Sequence, residues 1–167
     1  EMLRSLVGSE MCIRDSYPVE SHVYVMDRKS GEQKVFEADS RFTKNVVEKC
    51  ESGNYEQWER HNIENPHFYD LMYLPQTGMY ARLHLGGIEF DATRDILNLM
   101  DDRDLYLTFF DKDFVVVGEA KLPSHRYNYF TGWRETNDGV ALFVDNSLDE
   151  NEKTEELVLD IVRLQAD

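Results

Sequence analysis

Leu105-Tyr106-Leu107-Thr108-Phe109-Phe110-Asp111-Lys112-Asp113-Phe114-Val115-Val116-Val117-Gly118-Glu119-Ala120-Lys121-Leu122 is the stretch on which the fold turns. Two runs of strand-forming residues flank Asp111-Lys112-Asp113, a short polar segment with turn chemistry. This is a hairpin. Apolar residues occupy both alternations of each run, so neither arm has an obvious solvent face. Strands of that kind belong inside a sheet stacked between neighbours.

Outward from this hairpin the same grammar repeats. On the C-terminal side, residues 127–135 and 140–145 flank Thr136-Asn137-Asp138-Gly139, where Asp-Gly is a strong turn signal. An acidic loop at 146–155 follows, and residues 157–164 give a last strand. On the N-terminal side, residues 68–74 and 79–85 flank Pro75-Gln76-Thr77-Gly78, with Pro and Gly where a turn uses them. Between that pair and residue 105 lies an insertion, in which 92–100 has the spacing of a short amphipathic helix. Further back, residues 22–26 and 33–38 flank Asp27-Arg28-Lys29-Ser30-Gly31. Gly31 suits a positive φ there, and the Asp27 carboxylate is placed to accept from the following backbone. Residues 39–65 are polar and low in β-branched side chains, which predicts a long connection with one or two helical turns.

Four hairpins and a final strand make nine predicted strands, with no βαβ alternation. Val23-Tyr24-Val25-Met26-Asp27 before a turn parallels Leu107-Thr108-Phe109-Phe110-Asp111 before another, and residues 69–80 parallel 129–142. Two consecutive hairpins form a four-stranded blade, and repeating it about an axis gives a propeller; a sandwich is the competing architecture. The expected fold is therefore all-β: a partial β-propeller of antiparallel four-stranded blades with one or two short helical insertions. Residues 68–122 form one blade, 22–38 close the blade before it, and 127–164 supply most of the next, about two to two and a half blades in all.

Composition limits the partners. With 18 Lys plus Arg against 33 Asp plus Glu, the formal charge of -15 argues against nucleic acid and against an anionic membrane surface. No apolar run approaches the roughly 20 residues of a membrane span. Cys12 and Cys50 form neither a disulfide framework nor a zinc-ribbon spacing. The first sixteen residues, EMLRSLVGSEMCIRDS, lack a signal-peptide pattern and resemble the conceptual translation of sequencing-adapter DNA; the alternative is a weakly ordered N-terminal arm. The domain is expected to occupy residues 17–167, as the C-terminal part of a propeller.

A family resemblance rests on GMYARLHL (78–85), DLYLTFFDKDFVVVGEAKLP (104–123), RYNYF (126–130) and NDGVALFVDN (137–146). In that order they resemble the C-terminal half of domain-of-unknown-function family 4221, whose members resemble six-bladed TolB-like propellers. The most specific phrase runs from Phe110 to Glu119, with Gly118 where a bulge or close packing is expected. The resemblance runs from about Tyr17 to the end. It implies an extracytoplasmic protein of Bacteroidetes-type bacteria with unassigned activity, attached to a membrane only through a lipid anchor in a missing N-terminal part. The chain departs from the family in lacking an N-terminal signal and enough strands for six blades.

Chemical motifs are few. The acidic loop lacks the glycine and ligand order of a calcium loop. Histidines 22, 61, 67, 84 and 125 show no metal spacing, although His61 and His67 lie close enough in the chain to meet. Ser124-His125 lacks a nucleophile elbow, and Gly86-Gly87 lacks the lysine and later glycines of a phosphate loop. No catalytic residue, metal ligand or cofactor is assigned. The binding candidates are aromatic and arginine residues, favoured where recognition is strong: Tyr80, Arg82, Arg126, Tyr127, Trp133 and Arg134. The expected role is a module that binds a protein, peptide or glycan through its loop face. The alternatives are a fragment of a propeller hydrolase or lyase and a purely structural, surface-assembly module. Three or more acids or histidines converging at a channel mouth favour catalysis; an aromatic and arginine patch favours binding.

Overall fold

A computed structural model describes residues 12–50, 53–130, 132–149 and 156–165. Within them lie eleven strands and two helices: β1 (Cys12–Ser16), β2 (Val23–Asp27), β3 (Gln33–Phe36), α1 (Tyr55–Glu64), β4 (His67–Phe68), β5 (Met72–Leu74), β6 (Met79–Leu85), α2 (Ile96–Asp101), β7 (Leu105–Phe110), β8 (Val116–Lys121), β9 (Trp133–Glu135), β10 (Val140–Phe143) and β11 (Leu159–Val162). The chain is all-β with antiparallel sheets and two helices in the connections.

Three sheets form, ordered β1-β2-β3, then β4-β6-β7-β8 with β5 also on β6, then β11-β10-β9. In the middle sheet β4 and β5 share one edge of β6, since Phe68 lies opposite His84 and Met72 opposite Ala81. That sheet is therefore four ranks wide. The predicted single strand over 68–74 is split here because residues 69–71 leave the ladder, although the Tyr69 N–H still donates to the Leu83 carbonyl at 3.0 Å. This split and β1 account for eleven strands where the turn pattern predicts nine. Residues 12–16, inside the stretch read as adapter sequence or an arm, pair along the whole of β2; residues 1–11 lie outside the described residues.

The turns form for the reasons their residues suggest. Asp27 Oδ1 accepts from the N–H groups of Lys29 and Ser30, both at 2.8 Å, and Gly31 takes φ 71°. In the deciding hairpin Asp111 Oδ1 accepts from the N–H groups of Asp113 and Val115, both at 2.9 Å. Phe114, read as the start of the second arm, instead sits in the turn at φ 60° and sends its ring into the core. The ladder between β7 and β8 slips once, with Phe109 opposite Gly118 but Phe110 opposite Val116, so Val117 is the extra residue of a bulge. At Gly118 a side chain would collide with Leu164, so the glycine also lets the segment after β11 pack close. The first arm, β7, is buried along its whole length as its two-sided apolar pattern requires. The second is an edge strand, and Val115, Val116 and Val117 face solvent.

Alternation gives the middle sheet two different faces. Ala81, Leu83, Leu85, Leu105, Leu107 and Phe109 pack against Val140, Leu142 and Tyr127, under the third sheet. Each buried leucine there removes apolar area worth about 2 kcal/mol. Tyr80 and Phe110, on the opposite face, pack with Val23, Ala38 and Phe114 under the first sheet. The middle sheet is thus covered on both sides.

The helices are capped locally and clamped from below. The Asn54 side chain accepts from the Glu56 N–H at the start of α1, and Asp95 from the Leu97 N–H at the start of α2. Buried Arg103 donates through Nε to the Gly86 carbonyl at 2.7 Å, through Nη1 to Asn62 at 3.0 Å and through Nη2 to Asn65 at 2.6 Å. One guanidinium therefore ties the end of α1 to the entrance of the insertion.

Candidate functional site

The two smaller edge strands meet. β5 lies at one edge of the middle sheet and β9 at the corresponding edge of the third, and the two are in contact. Between them opens a cleft of about 510 Å³ walled by Asp70, Tyr73 and Pro75 on one side and Trp133, Arg134 and Glu135 on the other. Gln76 N–H donates to the Asn137 carbonyl at 2.9 Å, joining the turn after β5 to the turn after β9 at one end of the cleft. Trp133 is held by Tyr69, whose ring centroid lies 4.4 Å away. The Tyr69 hydroxyl donates to the Tyr129 carbonyl, and burial pushes its pKa up, so it remains a neutral donor. Register places Trp133 opposite Leu142 and Glu135 opposite Val140, on the face toward the middle sheet, while Arg134 lies opposite Ala141 on the other face. Arg134 thus borders both the cleft and the outside of the stack.

The cleft can offer an aromatic surface, carboxylate acceptors from Asp70 and Glu135, and guanidinium donors from Arg134. Two other depressions differ. One of about 570 Å³ beside α1 is lined by charged side chains with Cys50 and His61, and one of about 210 Å³ lies by Phe42, Gly86 and Tyr106. His61 pairs with Asn65, and His67 packs against Tyr69. No metal-type cluster of three His, Cys, Asp or Glu residues occurs among the described residues. No helix among them is long and apolar enough to cross a membrane.

The six sequence candidates fall into three places. Trp133 and Arg134 are in the cleft. Arg126 and Tyr127 converge instead on β11, where Arg126 Nε and the Tyr127 hydroxyl donate to the same Asp160 oxygen at 2.8 and 2.9 Å. Tyr80 and Arg82 are inside the protein. Tyr80 packs on Phe114, with ring centroids 4.9 Å apart, and Arg82 is only 1% exposed. The Arg82 guanidinium donates to the Ser21 and Ala38 carbonyls, both at 2.7 Å, so its donors hold the first sheet to the second rather than a ligand. The sequence reading missed Asp70 and Glu135 as cleft acids. Tyr73, inside the predicted strand over 68–74, had no signal to single it out.

Beside Arg82 runs a buried polar layer. Thr108 Oγ1 donates to Glu119 Oε1 at 3.1 Å, the Arg41 N–H donates to Glu119 Oε2 at 3.0 Å, and the Glu119 side chain is 1% exposed. His84 lies between the rings of Phe68 and Tyr106 at 5.2 and 4.9 Å. Burial, and then the charge of Arg82, push its pKa down to about 3. Burial likewise pushes Arg82 down to about 10, leaving it a cation at neutral pH.

No family model and no curated protein matches the chain. A crystal structure does: a member of the DUF4221 family from Bacteroides vulgatus matches with a TM-score of 0.76 at 18% identity, over 98% of this chain and 46% of that one. This chain therefore spans just under half the length of that neighbour. The likeness carries the resemblance read from residues 78–146 into three dimensions, and what it establishes at this identity is a shared fold with a DUF4221 family member.

Proposed function

We propose that the three sheets are consecutive blades of a propeller-like ring in an extracytoplasmic protein, and that the cleft between β5 and β9 at their inner edges binds a glycan without transforming it. The blade reading is supported by the middle sheet, four ranks wide, antiparallel and covered on both faces by its neighbours. The location follows the family resemblance. The binding reading rests on one observation: Trp133 shares a cleft with Arg134, Asp70 and Glu135, while Tyr73, which also lines it, packs its ring on Tyr80 with centroids 5.2 Å apart. A sugar ring has an apolar C–H face, which an aromatic ring covers, and a rim of hydroxyls, which carboxylates accept from and guanidinium donates to. Two acids line this cleft, short of the three converging acids or histidines taken above as the mark of catalysis. Because a carboxylate pair also suffices for glycoside hydrolysis, the test below reads product release alongside binding.

Fluorescence tests this directly, because Trp58 and Trp133 are the only tryptophans. In a Trp58→Phe background, emission reports on the cleft alone. Titration with cello-, xylo-, manno- and malto-oligosaccharides is expected to give a saturable change with at least one series, abolished by Glu135→Ala. Silence across the panel, or release of shortened sugars, overturns the reading.

A further inference from the structure

We infer that the cleft receives the end of a glycan chain and shuts out its interior, because the fold closes the trough at both ends along the strands. The inference rests on the glycan reading above and adds to it which part of the glycan is held.

Register gives the trough its direction. The first wall runs down β6 from Leu83, whose carbonyl accepts from the Tyr69 N–H, past Ala81 opposite Met72, to Met79 opposite Leu74. The second runs down β10 from Leu142 opposite Trp133 to Val140 opposite Glu135. Each wall ends in a turn, at 75–78 and 136–139, and the bond from the Gln76 N–H to the Asn137 carbonyl brings those two turns together. β5 and β9 therefore run side by side in the same direction. Tyr69 and Tyr129 precede their strands and lie at the other end, where the Tyr69 hydroxyl donates to the Tyr129 carbonyl. One tie crosses between the sheets at each end.

The Tyr69 end is braced. Its ring packs on Trp133 with centroids 4.4 Å apart and on His67 at 4.9 Å, so the aromatic platform for a sugar ring stands against the end wall. Just before β9, a side chain at Gly132 would strike Asn128, so the chain turns tightly from Tyr129 into the second wall. The acids sit toward opposite ends, Asp70 beside Tyr69 and Glu135 beside the turn at 136–139. Both ties are made inside residues 69–137, so this closure holds whatever adjoins the chain. A polysaccharide held by its interior must leave a site in two directions. Strands wall this trough along its length and ties cross it at both ends, and about 510 Å³ is the size of a small-ligand pocket. A glycan that enters through the remaining face stops there.

Fragmentation separates chain ends from sugar units. The oligosaccharide series that changes Trp133 emission in the full-length Trp58→Phe chain is followed up to its parent polysaccharide, which is titrated intact and after partial acid hydrolysis at equal mass. The half-saturating mass is expected to fall in proportion to the chain ends created, counted by a reducing-sugar assay. Within the oligomer series, affinity is expected to level off after the first few units. A half-saturating mass unchanged by cutting, or an affinity that climbs with every added unit, overturns the inference and leaves glycan binding standing. Silence across the series overturns both. Tyr69→Phe keeps the ring on Trp133 and removes one tie, so the advantage of cut over intact polysaccharide should shrink; an undiminished advantage overturns Tyr69 as the end wall.

Discussion

The two faces of the middle sheet come from the same two strands and are buried to the same depth, yet they are built differently. One consists of Ala81, Leu83, Leu85, Leu105, Leu107 and Phe109, which need no partner. The other alternates with it and carries Tyr80, Arg82, His84, Tyr106, Thr108 and Phe110. The apolar face is held by non-directional burial, so it specifies volume and little else. The polar face is held by bonds of fixed direction, from Arg82 to the Ser21 and Ala38 carbonyls and from Thr108 to Glu119. It specifies which residues of the first sheet may sit opposite, because a misplaced sheet leaves a cation in an apolar interior.

The largest loss should therefore come from the polar face. Arg82→Ala leaves two buried carbonyls without their donor and opens a void, a combined cost of about 4 kcal/mol. Arg82→Lys should recover little of it, since an ammonium cannot reproduce the guanidinium fork. Leu83→Ala on the apolar face should cost about 3 kcal/mol, and Leu83→Met under about 1.5 kcal/mol, because volume is nearly kept. Urea unfolding midpoints order these four variants. A Leu83→Ala midpoint below that of Arg82→Ala breaks the comparison.

Acid should weaken the polar face through His84. Unfolded histidine takes its proton near pH ~6.5, whereas buried His84 resists until about 3. The group therefore leaves stability intact above the unfolded value and erodes it as pH falls, by about 2 kcal/mol at pH 5. The groups facing it explain the resistance: the Phe68 and Tyr106 rings, and Arg82 on the same strand. His67, which burial and then Arg103 hold down to about 4, adds a fall of the same sign in the same window. His84→Phe should remove the His84 share, so its midpoint changes less between pH 8 and pH 5 than the wild type's. Equal changes in both proteins would take His84 out of the account.

How far the sequence carried this arrangement depends on the length scale. The hairpin at 105–122 was legible because its turn is local: Asp111 supplies the acceptor within four residues. The resemblance added a bulge or close packing at Gly118; the close packing is there, against Leu164, and the bulge falls one residue earlier, at Val117. Exposure of Val115–Val117 was not legible, because an apolar edge strand and an apolar central strand read alike until their neighbours are known. Tyr80 and Arg82 resembled binding residues for the same reason, since composition does not reveal which alternate face another sheet will cover. Trp133 and Arg134 do reach the cleft, but its opposite wall comes from β5, some sixty residues earlier, and depends on how two sheets dock.

The smallest effect concerns a second arginine and sharpens the same point. Arg126 donates to the Asp160 carboxylate at 2.8 Å, whereas the Arg82 guanidinium donates to backbone carbonyls, yet the Arg126 side chain remains 38% exposed. Water screens such a pair and already satisfies both ions, so Arg126→Ala should cost only about 0.5 kcal/mol. The Tyr127 hydroxyl donates to the same oxygen and continues to do so in the variant. Formal charge pairing would rank Arg126 above Arg82. Burial reverses that order, because the carbonyls Arg82 serves have no water to replace it. Unfolding midpoints for Arg126→Ala and Arg82→Ala in one buffer decide between the two rankings, and raising the salt should shrink only the Arg126 effect.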